Sequence, residues 1–420
     1  MPVARGHGGP SVALQSSAAT VNRPPLFTLK NCNQPLTMNA LKVAVVGTGF
    51  IGPVHVEALR RAGQIVTGIV GSSPEKSAAS AARLGLPKGY ASLADVLADD
   101  EVQSVHIATP NELHFEQAAA VLRSGRHVLC EKPLAMTSSQ TAELLQIAAK
   151  SGCVAGVAYN IRFYPLCHEA ASRVAAGSIG EVMHVHGSYV QDWLLRPTDY
   201  NWRVESKAGG ELRAVADIGT HWLDLVQFVT GRKVVSVMAD LRTVHPNRLR
   251  PIGGAETFSG AAKSAANPPT ESVRVDTEDC GTVMLQLDSG ANGCLWVSQT
   301  TAGRKNMCQF EIGGTEQSLA WNSQSPNDLW IGNRDRASET LIRDPALMSD
   351  SAAGISQYPG GHNEGFPDTF KQMFRTFYGY IAAGDFAATA PFPTFTDGDR
   401  EVRLCEAVLA SHRERRWVDV

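Results

Sequence analysis

Three short runs hold residue types that can move a proton or steady a charge. In Cys130-Glu131-Lys132-Pro133-Leu134 a lysine leaves an apolar strand, and an ammonium placed there can stabilise a developing negative oxygen. In Asp217-Ile218-Gly219-Thr220-His221 an aspartate and a histidine stand four apart. If the chain is helical from about Ala216 the two share one face, where a carboxylate can orient the imidazole and raise its basicity. The third run, Gly47-Thr48-Gly49-Phe50-Ile51-Gly52, follows Val43-Ala44-Val45-Val46. Its first glycine permits a tight turn, its second lets backbone approach a pyrophosphate, and its third brings helix close to strand. Plainer readings stand beside these: a surface lysine, a capping aspartate with a core histidine, a bare strand-to-helix turn.

The elements that must hold these runs alternate from Leu41 onward. Short β-branched apolar runs at 41–46, 65–70, 105–108, 127–130 and 154–159 are separated by helical stretches, the pattern of βαβ units around a parallel sheet. Pro74 suits the first turn of a helix over 74–84, and Asn111 is expected to cap a helix running to Ser124. After about residue 160 the alternation stops. Strands at 281–288, 291–299, 307–312 and 317–321 form a meander, and helices follow over 364–382 and 396–413. The expected fold is therefore an α/β Rossmann domain, a doubly wound parallel sheet over 41–160. An α+β domain over 161–420 with an open, mainly antiparallel sheet follows it, for substrate binding and oligomerisation. Residues 1–40 read as a disordered tail without acidic residues, and 245–273 as a long loop.

Bulk properties exclude several classes of function. With 420 residues, 43% hydrophobic and 19% charged, the chain is globular and long enough for two domains. A formal charge of −3 with no basic stripe gives no electrostatic reason to bind nucleic acid. No apolar run approaches the roughly 20 residues that span a bilayer. The eight cysteines are scattered singly, which points to reduced thiols in the cytoplasm and to no metal site.

The strand-exit sequence Ile69-Val70-Gly71-Ser72-Ser73-Pro74-Glu75-Lys76 lacks the acidic residue that commonly holds the ribose 2′-hydroxyl of NAD. Gly71, Ser72, Ser73 and Lys76 could instead receive a 2′-phosphate, so NADP is slightly favoured over NAD.

Taken together and in order, GTGFIG, TPNELH at 109–114, EKP at 131–133 and GG followed by DIGTHWLDL at 217–225 resemble one family. It is the glucose-fructose oxidoreductase, inositol dehydrogenase and rhizopine catabolism (Gfo/Idh/MocA) family, and the likeness covers roughly residues 40–415. The resemblance implies hydride transfer between a nicotinamide cofactor and a ring hydroxyl or ketone of a sugar, glycoside, anhydrosugar or cyclitol. By matching position Lys132 binds the reacting oxygen, His221 is the general acid and base, Asp217 is the aspartate beside it, and Pro133 is cis. Thr109, Pro110, Asn111, His114 and Glu131 would line the nicotinamide ribose, with Trp202 and Arg203 near the nicotinamide end. Arg162, Asp192, Trp193 and His362 are candidate substrate contacts, the last three on polar, aromatic loops that serve equally as ordinary loop anchors. The expected partners are a carbohydrate-like small molecule and further copies of the chain, as a dimer or tetramer. Some relatives cleave glycosidic bonds with a tightly held nicotinamide and no net redox change, and a sensor without turnover is a third reading. Retention of Lys132, Asp217 and His221 argues against the sensor.

Overall fold

The computed structural model describes residues 40–252 and 269–420. The expected tail at 1–40 falls outside these almost entirely, as do 253–268.

The first half alternates strand and helix as β1 (Lys42–Val46), α1 (Ile51–Arg61), β2 (Ile65–Val70), α2 (Pro74–Leu84), β3 (Lys88–Tyr90), α3 (Leu93–Leu97) and β4 (Ser104–Ile107). It continues with α4 (His114–Arg123), β5 (His127–Cys130), α5 (Ser138–Ser151) and β6 (Ala155–Val157). Six parallel strands lie in the order β3-β2-β1-β4-β5-β6, a doubly wound sheet whose strand order reverses beside β1. Both faces are covered, so β1 is apolar at every inward position: Val43 and Val45 face one core while Ala44 and Val46 face the other. Helix α2 begins on the Ser73 side chain, which accepts from Lys76 N, and ends at Gly85 with φ +60°. The short β3 and α3 carry too few periodic residues to have been expected.

Asn111 does not cap α4. Residues Asn111–Leu113 form a 3₁₀ turn before the helix, and the Asn111 side chain donates instead to Gly209 O at 2.9 Å.

The second half holds α6 (Pro165–Ala175), β7 (Val182–Val190), α7 (Ser206–Gly209), α8 (Thr220–Thr230), β8 (Val234–Arg242), β9 (Asn247–Pro251), β10 (Thr270–Arg274), β11 (Cys280–Leu287) and β12 (Asn292–Ser298). Next come β13 (Met307–Gly314), β14 (Ser318–Asn322), β15 (Asp328–Gly332), β16 (Glu339–Ile342), α9 (Asp350–Ile355), α10 (Phe366–Ala383), α11 (Phe395–Glu414) and β17 (Val418–Asp419). Nine strands form one sheet in the order β16-β15-β14-β13-β7-β12-β11-β8-β17. All its pairs are antiparallel except β12 with β7. Residues from α6, α8 and α11 close its core on one face.

The segment 245–273 is not simply a loop: β9 and β10 pair antiparallel at its two ends, from Asn247 with Arg274 to Pro251 with Thr270. Their pattern is masked in the sequence because the Gly- and Ala-rich stretch between them dominates the composition. Helix α10 returns to the first sheet, where Phe370, Met373, Phe374, Phe377 and Tyr378 pack with Val43, Val45 and Val56.

Candidate active site

The glycine turn is built for close approach of an anion. Gly47 has φ +123°, and a Cβ on it would lie 2.2 Å from Ala108 O. One on Gly52 would lie 2.0 Å from Gly47 O, whereas one on Gly49 would meet nothing within 4 Å. The first and third glycines thus lock turn to strand and helix, and the second leaves a bare backbone facing open space. Ile51 opens α1, whose first turn carries no acidic side chain, and Phe50 before it is 45% exposed. A helix N-terminus free of carboxylates attracts phosphate, so these residues fit a dinucleotide pyrophosphate.

The three residues that leave β2, Gly71, Ser72 and Ser73, carry no carboxylate, and the nearest along the chain is Glu75 in the first turn of α2, beside Ser73. Gly71 N donates to Ser77 Oγ at 2.7 Å, Ser73 caps α2, and Ser72 and Lys76 are exposed.

His114 stands between two loops at the carboxyl edge of the sheet, with one N–H to give to one of two carbonyls. Its Nδ1 lies 2.7 Å from Pro133 O and its Nε2 2.9 Å from Thr109 O. Burial pulls this ring's pKa down and outweighs the two carbonyls, which pull it up. His114 therefore sits behind the edge and shapes it. Thr109 is held by Gln117 at 2.7 Å, Pro110 precedes the 3₁₀ turn, and the Lys132–Pro133 peptide is cis.

The reactive cluster forms where this edge meets the start of α8. Lys132 Nζ donates to Asp217 O at 2.6 Å and to Asp217 Oδ1 at 2.9 Å. Arg203 Nε approaches the same Oδ1 at 3.3 Å, and Gln299 Nε2 donates to Oδ2 at 2.8 Å. The Arg203 guanidinium lies over the Trp202 ring, 4.4 Å from its centroid. Burial pushes the Asp217 carboxyl up, but Lys132 and Arg203 more than offset this and hold it well below the usual carboxylate range.

This arrangement corrects the expected Asp217–His221 contact. Val215–Gly219 is a π-turn rather than α-helix, which shifts the backbone ladder by one residue and takes i and i+4 out of alignment. The carboxylate serves Lys132, Arg203 and Gln299, and His221 Nδ1 is buried without a partner. No hydrogen bond among the described residues uses His221 Nε2 either. Burial first, and Lys132 second, pull the His221 pKa down to about 3, so the ring is neutral at physiological pH. Tyr159 stands edge-on to it at 5.5 Å and Tyr189 is tilted at 6.2 Å, centroid to centroid. Glu278 fixes the entry of this turn by accepting from Arg213 N and Val215 N.

Other expected contacts lie in partnerships of their own. Arg162 is paired with Asp224 and, at 2.8 Å, with Asp397. Asp192 accepts from Lys305 Nζ at 2.7 Å and Gly303 N at 3.1 Å. Trp193 donates to Gln191 at 2.8 Å and packs against Leu194, Val204 and Val275. His362 is exposed, with Gly360 O at 3.3 Å. Among the described residues, no hydrogen bond, ion pair or ring contact joins Arg162, Asp192 or His362 to Lys132, Asp217 or His221. Conversely, Gln299, Tyr159 and Tyr189 at the site were not singled out from sequence. Tyr159 and Gln299 follow β6 and β12, where a buried polar residue is the available signal, and Tyr189 lies within the mixed strand β7, which offers none. The seven cysteines among the described residues are free. No helix among those residues is long and apolar enough to cross a membrane.

Comparison with known proteins places the chain in a family. Residues 41–159 match the "Oxidoreductase family, NAD-binding Rossmann fold" profile of GFO/IDH/MocA, and residues 167–320 match the GFO/IDH/MocA C-terminal domain. The chain is 29% identical over 404 residues to levoglucosan dehydrogenase of Pseudarthrobacter phenanthrenivorans, covering 91% of this chain and 99% of that one. A structure of levoglucosan dehydrogenase with NADH and L-sorbose superposes with a TM-score of 0.81 at 28% identity, covering 91% and 99% of the two chains. An inositol dehydrogenase homologue from Azotobacter vinelandii, complexed with NADH and myo-inositol, gives 0.78 at 25% identity, covering 91% and 98%. The chain is thus an oxidoreductase of the dehydrogenase type acting on CH–OH groups, and it belongs to the GFO/IDH/MocA oxidoreductase family.

Proposed function

We propose that the protein oxidises, and in reverse reduces, a ring hydroxyl of a sugar, glycoside, anhydrosugar or cyclitol. The observation that carries this is a neutral His221 with no hydrogen-bond partner beside a Lys132 ammonium held by Asp217. A nicotinamide dinucleotide, when bound, supplies the two-electron acceptor or donor. Gly47, Gly49 and the start of α1 would hold its pyrophosphate, with Thr109, Asn111, Glu131, Trp202 and Arg203 toward the nicotinamide. His221 takes the proton of the substrate hydroxyl, and the Lys132 ammonium steadies the oxygen as negative charge grows. Asp217 keeps Lys132 aimed, and Arg203 and Gln299 keep Asp217 in place.

The choice of a ring hydroxyl draws on the relatives whose complexes contain L-sorbose and myo-inositol. The absence of a carboxylate on Gly71, Ser72 and Ser73, directly after β2, supports NADP(H) being accepted at least as well as NAD(H). The seven free cysteines suit a reducing, cytoplasmic compartment. A homo-oligomer through the open face of the nine-stranded sheet is supported by exposed Met284, Trp296 and Trp330. A groove of about 380 Å³ lined by His186, Glu311 and Trp330 lies on that face.

The test is absorbance at 340 nm with purified protein, either dinucleotide, and a panel of monosaccharides, glycosides, anhydrosugars and inositols. A rise with one class and a tighter Kd for NADP(H) fit the proposal. A bound dinucleotide with no net reduction, together with glycoside cleavage, would replace it by transient oxidation. A strong preference for NAD(H) would remove the cofactor part alone.

A further inference from the structure

Behind the Lys132 turn an unbroken hydrogen-bonded chain crosses the core of the first sheet. Glu131 Oε1 lies 3.0 Å from His55 Nε2, and His55 Nδ1 lies 3.0 Å from His106 Nδ1. His106 Nε2 lies 2.8 Å from the Tyr378 hydroxyl, which lies 3.1 Å from Ser104 Oγ. His55, His106 and Ser104 are fully buried and Tyr378 is 1% exposed. Phe374 stands against both imidazoles, 5.0 and 4.6 Å between centroids. Such a chain in an apolar setting is tolerated only if each member has its partner.

With both imidazoles neutral, proton counting gives the chain a single sense. An ionised carboxylate only accepts, so His55 carries its proton on Nε2 and presents Nδ1 as an acceptor. His106 must then donate from Nδ1 and accept at Nε2 from Tyr378, which in turn accepts from Ser104. Burial holds His106 well below the usual histidine range. Glu131 faces His55 on α1, Lys132 on its own turn and His221 on α8, with Cys130 and His114 alongside. Burial pushes Glu131 up, but the hydrogen bond from His55 and the nearby Lys132 hold it below the ordinary value. Its second oxygen accepts from Lys132 N at 3.3 Å.

We propose that His55, His106 and Tyr378 form a positioning relay whose one-way hydrogen bonds fix the Glu131 carboxylate and, through it, the turn that presents Lys132. The relay's purpose rests on the reading of Lys132 as the group that meets the reacting oxygen. Because Tyr378 belongs to α10, which follows the second sheet, the relay also ties the C-terminal part of the chain to that turn.

The test is ¹⁵N NMR of the histidine-labelled full chain, with the two rings assigned from His55→Gln and Tyr378→Phe. The expected result is a neutral His55 protonated on Nε2 and a neutral His106 protonated on Nδ1. An imidazolium at His55, or His106 protonated on Nε2, overturns the relay. This readout needs no turnover, so it stands or falls apart from the dehydrogenase reading.

Kinetics give the second arm. His55→Phe leaves Glu131 buried without its donor, its pKa rises, and kcat gains an acidic limb with about a tenfold loss per pH unit. His55→Gln keeps an amide donor and retains the wild-type profile. A folded His55→Phe protein with the wild-type pH profile overturns the link from relay to Lys132.

Discussion

Two buried polar clusters in this molecule use similar residue types to opposite ends. At Arg343 the side chain is 1% exposed and every guanidinium nitrogen is occupied: Nε by Asn327, Nη1 by Ser356 Oγ and Tyr358 O, Nη2 by Pro359 O and His362 O. Its neighbour Glu364 accepts from Gln357 N, Tyr358 N and Ser356 Oγ. Nothing is left over, and the cluster does nothing but hold the 356–364 loop. At Lys132 the ammonium and carboxylate are also paired, yet His221 stands beside them with no hydrogen bond. A buried polar atom without a partner costs about 1–3 kcal/mol, and a cleft that leaves one open does so where a ligand can complete it. Unpartnered buried atoms also occur at Arg213, Arg248 and Ser349, so the difference teaches that an unfinished bond points to chemistry where it stands beside a charged pair such as Lys132 and Asp217.

The largest effect expected from breaking this contrast is in Lys132→Ala. Loss of the cation that steadies the reacting oxygen lowers kcat by about 100-fold or more, with the dinucleotide Kd nearly unchanged, read by the 340 nm assay and by titration. Arg343→Ala acts on the other side. It strands Glu364 and five acceptors, lowering stability by about 3–5 kcal/mol in denaturant melts, while the folded fraction keeps its kcat.

A subtler prediction concerns pH. His221 must be neutral to take a proton, and its pKa is held near about 3 by burial and then by Lys132. Oxidation should therefore show no acidic limb between pH 6 and 7, where an unperturbed histidine titrates at about 6.5. In Lys132→Met the second cause is gone, the pKa rises, and the residual activity should acquire a limb closer to neutral.

The smallest effect is in Glu401→Gln. Burial and then Asp224 raise the Glu401 carboxyl well above its ordinary value, so its folded-state pKa exceeds its unfolded one. Its contribution to stability is complete below the unfolded value and is lost as pH rises through the folded one. The glutamine variant escapes that loss, so its Tm relative to wild type should climb as pH rises.

The same contrast explains how far the sequence could be read. The parallel sheet was legible because a strand buried on both faces is largely apolar, as 43–46 is. The strand 104–107 alternates Ser104 and His106 with Val105 and Ile107, and its two polar residues gave no sign of the buried partners they meet. The late helices were legible from their length and periodicity. Lys132, Asp217 and His221 were legible because motifs keep them in short runs. The partnership among them was not, because it depends on the π-turn at Val215–Gly219 and on Gln299, which is distant in sequence. The role of Asn111 was hidden likewise, since its partner Gly209 lies 98 residues away. The strands β9 and β10 were lost inside a Gly- and Ala-rich stretch whose composition speaks louder than two five-residue strands.

The central claim is that the uncommitted His221 imidazole moves the substrate proton. It is tested most directly by measuring kcat for oxidation and the dinucleotide Kd in His221→Ala. The account predicts a fall in kcat of about 100-fold or more, with Kd unchanged and the melting temperature not lowered. A variant that turns over like wild type would contradict it.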